Sequence, residues 1–198
     1  STHCISSAAS DVYKRQDLRK VVILLAHPNI KESQANKALV DAVSDMEGVA
    51  VFNLYELSQE IAFNVDEWSK IISDASAVIY QFPFYWMSAP SLLKKWQDEV
   101  FTFLSKTPAV AGKSLTVVTT TGSEYEAYRS GGRNRFTMDE LLRPYQVSAI
   151  HSGMSWQTPI VVYGMGTADA GKNIAEGANL YKQRVEMLIG SSNAGNNW

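Results

Sequence analysis

Three short stretches of this 198-residue chain gather residue types that can do chemistry together. The first is His27-Pro28-Asn29-Ile30-Lys31-Glu32-Ser33-Gln34-Ala35-Asn36, a polar turn in which Ser33 can cap a helix. Free backbone N–H groups and the positive helix end over Ser33 to Asn36 suit a phosphate, with the Ser and Asn side chains as further donors. The same residues also serve as a plain N-cap, and His27 alone reads as a structural histidine at a strand end. The second stretch, Gln81 to Pro90, sets Phe82, Phe84, Tyr85 and Trp86 around Pro83. A flat heterocycle needs such a wall, because stacking and apolar burial supply its affinity while backbone groups read its polar edge. Structural packing is the alternative use for these rings. The third runs from Thr119-Thr120-Thr121-Gly122-Ser123-Glu124 through Tyr125, Tyr128, Arg129, Gly131, Gly132, Arg133 and Arg135. Gly122 allows close backbone approach, and the threonines add hydroxyl donors for a ring edge on which negative charge develops. Tyr128 can donate a hydrogen bond to a carbonyl oxygen of an acceptor, and the arginines can meet phosphates, or else form a solvated loop.

These stretches need a scaffold that brings them together, and the apolar pattern supplies one. Val21 to Ala26 is a continuous aliphatic run, expected for a strand buried on both faces. A helix follows with Ala35, Ala38, Leu39, Ala42, Val43 and Met46 on one face, ended by Gly48, and Val49 to Asn53 reads as a second strand. A short helix is marked by Trp68, Ile71, Ile72 and Ala75, and a third strand by Ala77 to Gln81. Ser88 is expected to cap a helix with Pro90 in its first turn and Leu92, Leu93, Trp96, Val100 and Leu104 inward. Ser114 to Thr119 is a fourth strand. Thr137 and Glu140 have capping-box spacing for a helix that should end near Pro144, and Val147 to His151 is expected to be the fifth strand. The last helix shows Ile174, Ala178, Tyr181, Val185 and Leu188, with Gly190 just past its end. Strands alternating with helices imply a parallel sheet covered on both faces, with ligands beyond the carboxyl ends of the strands. All three unusual stretches fall there.

Composition narrows the class. A net charge of −2 gives no basic stripe for nucleic acid, so no nucleic-acid partner is expected. The apolar runs are too short to span a bilayer, and the single cysteine, Cys4, cannot form an internal disulfide, which suits a reducing, cytoplasmic setting. No metal-ligand pattern stands out. Residues 1–16 resemble translated adapter sequence and are expected to be non-native or disordered, a genuine N-terminal arm being the alternative. The domain is placed at residues 17–198. Several other site types lack their residues. His27-Pro28 stands where a dinucleotide fold needs G-x-G-x-x-G, and neither G-x-x-x-x-G-K-[ST] nor G-x-S-x-G occurs. The acidic cluster of a phosphoacceptor domain is missing from the strand ends.

Taken in order, Ala26-His27-Pro28 with Ser33-Gln34-Ala35-Asn36, then Gln81-Phe82-Pro83-Phe84-Tyr85-Trp86, Pro90-Ser91-Leu92-Leu93-Lys94-Lys95-Trp96, Thr119-Thr120-Thr121-Gly122 and Gly132-Arg133-Asn134-Arg135-Phe136-Thr137 resemble the flavodoxin-like NAD(P)H quinone oxidoreductase family. The likeness is greatest to the branch holding the ancillary subunits of glutathione-regulated potassium-efflux systems. It implies an α/β flavodoxin-like three-layer sandwich with a five-stranded parallel sheet in order 2-1-3-4-5. It also implies a flavin, FMN or FAD, whose phosphate and ribityl chain meet His27, Ser33, Gln34, Ala35 and Asn36. Phe84, Tyr85, Trp86 and Met87 would wall the ring, and Thr119, Thr120, Thr121 and Gly122 would meet its edge. Tyr128 is the candidate catalytic residue. The family's usual Thr-Thr-Gly-Gly is here Thr120-Thr121-Gly122-Ser123, and the histidine that animal members pair with the tyrosine has no counterpart. The implied reaction carries two electrons from NADH or NADPH to a quinone-like acceptor by a ping-pong route, in a homodimer. The alternatives are a regulatory subunit docked on a potassium-efflux antiporter at the inner face of the cell membrane, and a reductase of azo or nitro compounds.

Overall fold

The apolar run after residue 20 forms β1 (Val21–Leu25), buried along its whole length. The computed structural model describes residues 21–57 and 63–194, so the expectation for residues 1–16 lies outside the described residues. Strand β1 pairs in parallel with β2 (Val49–Asn53) on one side and β3 (Ala77–Pro83) on the other, and β3 pairs in parallel with β4 (Ser114–Thr120). Two short strands share the place beyond β4. Strand β5 (Ser155–Trp156) pairs with its beginning and β6 (Ile160–Val162) with its end, both in parallel. The order 2-1-3-4 is as expected, with six strands rather than five because the last place is divided.

Alternation along the strands splits the core into two layers. Val22, Leu24, Val78, Tyr80, Phe82, Leu115 and Val117 face helices α3 (Val65–Ser73), α4 (Ser91–Trp96) and α7 (Arg143–His151), with the short helices α2 (Leu54–Leu57), α5 (Thr102–Leu104) and α6 (Met138–Leu141) packed into the same layer. Val21, Ile23, Ile79, Val118 and Val162 face α1 (Gln34–Asp41) and α8 (Ala170–Ala194). Trp96 anchors the first layer. It is 1% exposed and meets Trp68 edge-on at 5.3 Å and Tyr80 at 6.1 Å between ring centroids, a favoured geometry for buried aromatics.

Three local expectations are corrected. Val147–His151 is not a strand but the second half of α7, where Tyr145 and Ala149 face the core while Val147 and Ile150 stay exposed. The helix capped by Thr137 and Glu140 does end near Pro144: it spans Met138–Leu141, and the proline sits in the first turn of α7, where its missing N–H costs least. Ser88 does not cap α4, whose N-cap is Pro90. Ser88 instead exchanges backbone hydrogen bonds with Tyr85. Finally, α8 continues through Gly190 to Ala194.

The junction of β6 with α8 is tight. A methyl group added to Gly177 would run into Val162 Cγ2 and stand 3.5 Å from Leu39 Cδ2, whereas one added to Gly190 meets nothing within 4 Å. Helix propensity favours alanine at both positions, so packing alone separates them. Gly177→Ala is expected to lower the unfolding free energy by about 1–3 kcal/mol. Gly190→Ala should raise it by up to about 1 kcal/mol. Urea unfolding of the two variants checks both signs.

Candidate cofactor site

The carboxyl ends of β1, β3 and β4 are in register, with Leu25 beside Gln81, Phe82 beside Thr119 and Pro83 beside Thr120. The chain leaves β1 into His27, which is 8% exposed. Its Nδ1 accepts a hydrogen bond from the Asn29 N–H at 3.1 Å, and burial pushes its pKa below the usual histidine value. His27 is therefore neutral at pH 7, with its proton on Nε2 as a donor. Ser33 caps α1 by accepting from the Asn36 N–H at 3.1 Å, leaving the first N–H groups of the helix unpaired within it.

Asn36 and Gln81 join the first turn of α1 to the other two strand ends. Gln81 is fully buried and donates through Nε2 to the Asn36 carbonyl at 2.8 Å. Asn36, 1% exposed, donates through Nδ2 to Thr120 Oγ1 at 2.9 Å. The Asn36 Oδ1 and Gln81 Oε1 acceptors are buried without a partner. Phe84 extends the ladder past β3 by donating its N–H to the Thr120 carbonyl at 2.9 Å.

These elements enclose a cleft of about 310 Å³, within the usual range for small-molecule sites. It is lined by His27, Ser33, Gln34, Ala35 and Asn36 at one end, and by Phe84, Tyr85, Thr120, Thr121 and Gly122 at the other. Ten of the sequence-derived candidates thus share one cavity. A methyl group added at Gly122 meets nothing within 4 Å, so the glycine opens the floor. Thr121 is held in place by its hydroxyl bond to the Ser123 carbonyl at 2.7 Å and its N–H bond to the Val162 carbonyl at 2.9 Å. No Lys, Arg, Asp or Glu lines the cleft among the described residues, so an anion there would be met by neutral donors and the end of α1.

Four candidates lie elsewhere. Thr119 is fully buried in the sheet, its hydroxyl donating to the Phe82 carbonyl at 2.7 Å. Trp86 and Met87 occupy a two-residue turn between Tyr85 and Ser88 at φ 46° and 62°, the left-handed region that larger side chains enter only at a cost. That turn leaves Trp86 97% exposed instead of over the cleft. Tyr145 steadies its base, accepting from the Ala89 N–H at 3.1 Å. Tyr128 is 7% exposed and lines a second hollow of about 320 Å³ with Tyr125, Arg129, Asp139 and Tyr163, its ring 6.1 Å from that of Phe84. Burial pushes the Tyr163 hydroxyl up to about 12, so it stays protonated at physiological pH.

Sequence reasoning missed Met165, Ala170 and Ile174, which close the remaining side of the cleft. The loop carrying Met165 is bonded to the Thr/Gly turn, with Met165 N–H to the Thr121 carbonyl and Gly166 N–H to the Gly122 carbonyl, both at 2.9 Å. The β-branched run Ile160-Val161-Val162 was the available signal, because it marks the strand that delivers this loop. The described residues contain no cluster of three His, Cys, Asp or Glu side chains suited to a metal ion, and no helix long and apolar enough to cross a membrane.

A family model described as having a flavodoxin-like fold matches residues 19–185. The chain belongs to this family. General stress protein 14 of Bacillus subtilis is 35% identical over 172 residues, covering 85% of this chain and 98% of that protein. The uncharacterized NAD(P)H oxidoreductase YdeQ of the same organism is 35% identical over 176 residues, covering 87% and 89%. The glutathione-regulated potassium-efflux system ancillary protein KefG of Serratia proteamaculans is 36% identical over 148 residues, covering 73% and 81%. Among solved structures, general stress protein 14 of Treponema denticola in complex with FMN has a TM-score of 0.77 at 30% identity, covering 85% of this chain and 99% of that one. An NADPH-quinone reductase from P. pentosaceus has a TM-score of 0.69 at 26% identity, covering 82% and 97%. A tryptophan halogenase also reaches 0.77 at 36% identity, covering 83% and 97%, so likeness of fold does not by itself name a reaction.

The state of His27 has a consequence for stability. The folded protein holds its imidazole below the unfolded value near 6.5, so the unfolded chain binds the extra proton first as pH falls. The contribution is whole above about 6.5 and declines as pH drops from there toward the lowered value. His27→Gln is expected to flatten the stability profile in this window, as read by urea midpoints at half-unit pH steps.

Proposed function

We propose that the protein is a flavin-dependent NAD(P)H oxidoreductase that passes two electrons from a nicotinamide cofactor to a quinone or similar acceptor by a ping-pong mechanism. The observation that carries this reading is the order of chemistry along one cleft. An anion-binding helix end stands at one side and a ring-sized apolar pocket with a donor-lined edge at the other. A phosphate joined to a flat ring through a hydroxylated chain matches that order, which is the shape of FMN. The FMN-bound general stress protein 14, the oxidoreductase YdeQ and the NADPH-quinone reductase support cofactor, donor and acceptor in turn.

When bound, the flavin supplies the hydride-accepting and electron-donating chemistry. The chain supplies position and water exclusion. Ser33, Gln34 and Ala35 hold the phosphate end with His27 Nε2–H beside it, and Asn36 ties the first turn of α1 to Thr120 at the ring end. Phe84 and Tyr85 bury the ring, and Thr120, Thr121 and Gly122 present donors to its edge. A shared open face would serve donor and acceptor in succession, which is the reason for a ping-pong order. Tyr128, whose ring lies 6.1 Å from that of Phe84 and lines the adjoining hollow, would donate a proton toward an acceptor oxygen.

The exposed Tyr85, Trp86 and Met87 favour a homodimer in which this turn is covered. The KefG relative favours a second role, that of a regulatory subunit on a potassium-efflux antiporter, which would place a cytoplasmic protein peripherally at the inner face of the cell membrane. Co-purification with the antiporter tests that role.

The purified protein is expected to carry a yellow chromophore that heat releases as FMN, and a protein that takes up neither FMN nor FAD would sink the reading. Because Phe84 lines the cleft and Trp86 does not, Phe84→Ala should weaken FMN binding at least tenfold more than Trp86→Ala, about the worth of one buried ring contact. Fluorescence titration with FMN decides between them.

A further inference from the structure

Gln81 in β3 and Asn36 in the first turn of α1 are buried polar residues, exposed to 0% and 1%. They pass a fixed orientation from strand to helix to strand. The Gln81 amide donates to the Asn36 backbone carbonyl at 2.8 Å, which locks the first turn of α1 to β3. The Asn36 amide donates to Thr120 Oγ1 at 2.9 Å, which locks the same turn to β4.

The second bond has a chemical effect on Thr120. With one lone pair of its oxygen taken by the Asn36 amide, the Thr120 hydroxyl keeps its proton to offer, and Thr120 donates to no protein acceptor among the described residues. Thr120 lines the ring end of the cleft, 6% exposed. Donors chained in this way polarise one another in a low-dielectric setting.

We propose that Gln81 and Asn36 are positioning residues that orient the Thr120 hydroxyl with its proton directed away from Asn36 and toward the edge of the bound flavin ring, so that the site favours the reduced cofactor. This rests on the flavin reading above. The reduced ring carries more negative charge at that edge than the oxidised one, so a fixed donor there stabilises the reduced form more. A purely structural brace would change stability and overall affinity, but not the balance between the two redox states.

The test compares the wild type with Thr120→Val, Thr120→Ser, Asn36→Leu, Gln81→Met and the double variant Asn36→Leu with Thr120→Val, each loaded with FMN. The readouts are thermal stability, the Kd for oxidised FMN and the two-electron midpoint potential. Thr120→Val and Asn36→Leu are each expected to reduce the preference for reduced over oxidised FMN about tenfold, which is a fall of about 30 mV for a two-electron couple. Thr120→Ser should keep the wild-type potential. The double variant should shift no further than Thr120→Val alone, because Asn36 acts through Thr120. Gln81→Met should move the potential in the same direction by a smaller step, and it carries the test should Asn36→Leu not fold. Additive shifts, or potentials unchanged while affinity falls, overturn the relay and leave the cofactor assignment standing. A wild type that binds no flavin overturns both.

Discussion

The structure depends on a parallel register that brings β1, β3 and β4 to a common edge with their side chains buried on both faces. Burial on both faces demands apolar residues along the strands, and the sheet meets that demand almost everywhere. Polar residues enter only toward the edge or where a specific partner waits. Gln81 binds the Asn36 carbonyl, Thr119 the Phe82 carbonyl and Thr116 the Thr158 carbonyl. The cleft is therefore set in a low-dielectric frame with its donors already oriented, the condition under which a few hydrogen bonds carry large discrimination.

The second structural theme is a backbone held away from its preferred conformation. Trp86 and Met87 both lie at positive φ, in a two-residue turn closed by reciprocal Tyr85 and Ser88 bonds of 2.8 and 2.9 Å. Glycine or asparagine would enter such a turn more readily. Here the turn is over-determined from below, by the Tyr145 hydroxyl on Ala89 and the Phe84 bond to Thr120. It turns one aromatic inward beside the cleft and the next outward to solvent, so adjacent residues of one motif serve different surfaces.

Where the sequence misled, a physical competition explains it. Val147 and Ile150 are β-branched and suggested a strand, but Pro144 at a helix start and the burial of Tyr145 and Ala149 four residues apart favour a helix. The strands beyond β4 are two and three residues long, too short to show a period, and they exist because β4 offers its free side to whatever segment passes. Gly190 looks like a helix stop, yet α8 continues because glycine is permitted in a helix when nothing forces a left-handed residue there.

The chain order of apolar runs and turns determined by itself that this is a parallel α/β sheet, and that the polar, aromatic and Thr/Gly stretches lie at one edge. Local chemistry is enough for that, since strand burial, helix capping at Ser33 and the strand-end rule are all short-range or topological. Tertiary structure alone decided which side chains face inward. Thr119 and Thr120 are neighbours in sequence, but the two-residue period of a strand buries one in the sheet and gives the other to the cleft. Phe84 lines the cleft while Trp86 leaves it, because the sign of φ at two residues sets the direction of the turn. Met165 reaches the site only through a ladder of bonds to a loop more than 40 residues earlier in the chain, and no local pattern encodes such a pairing.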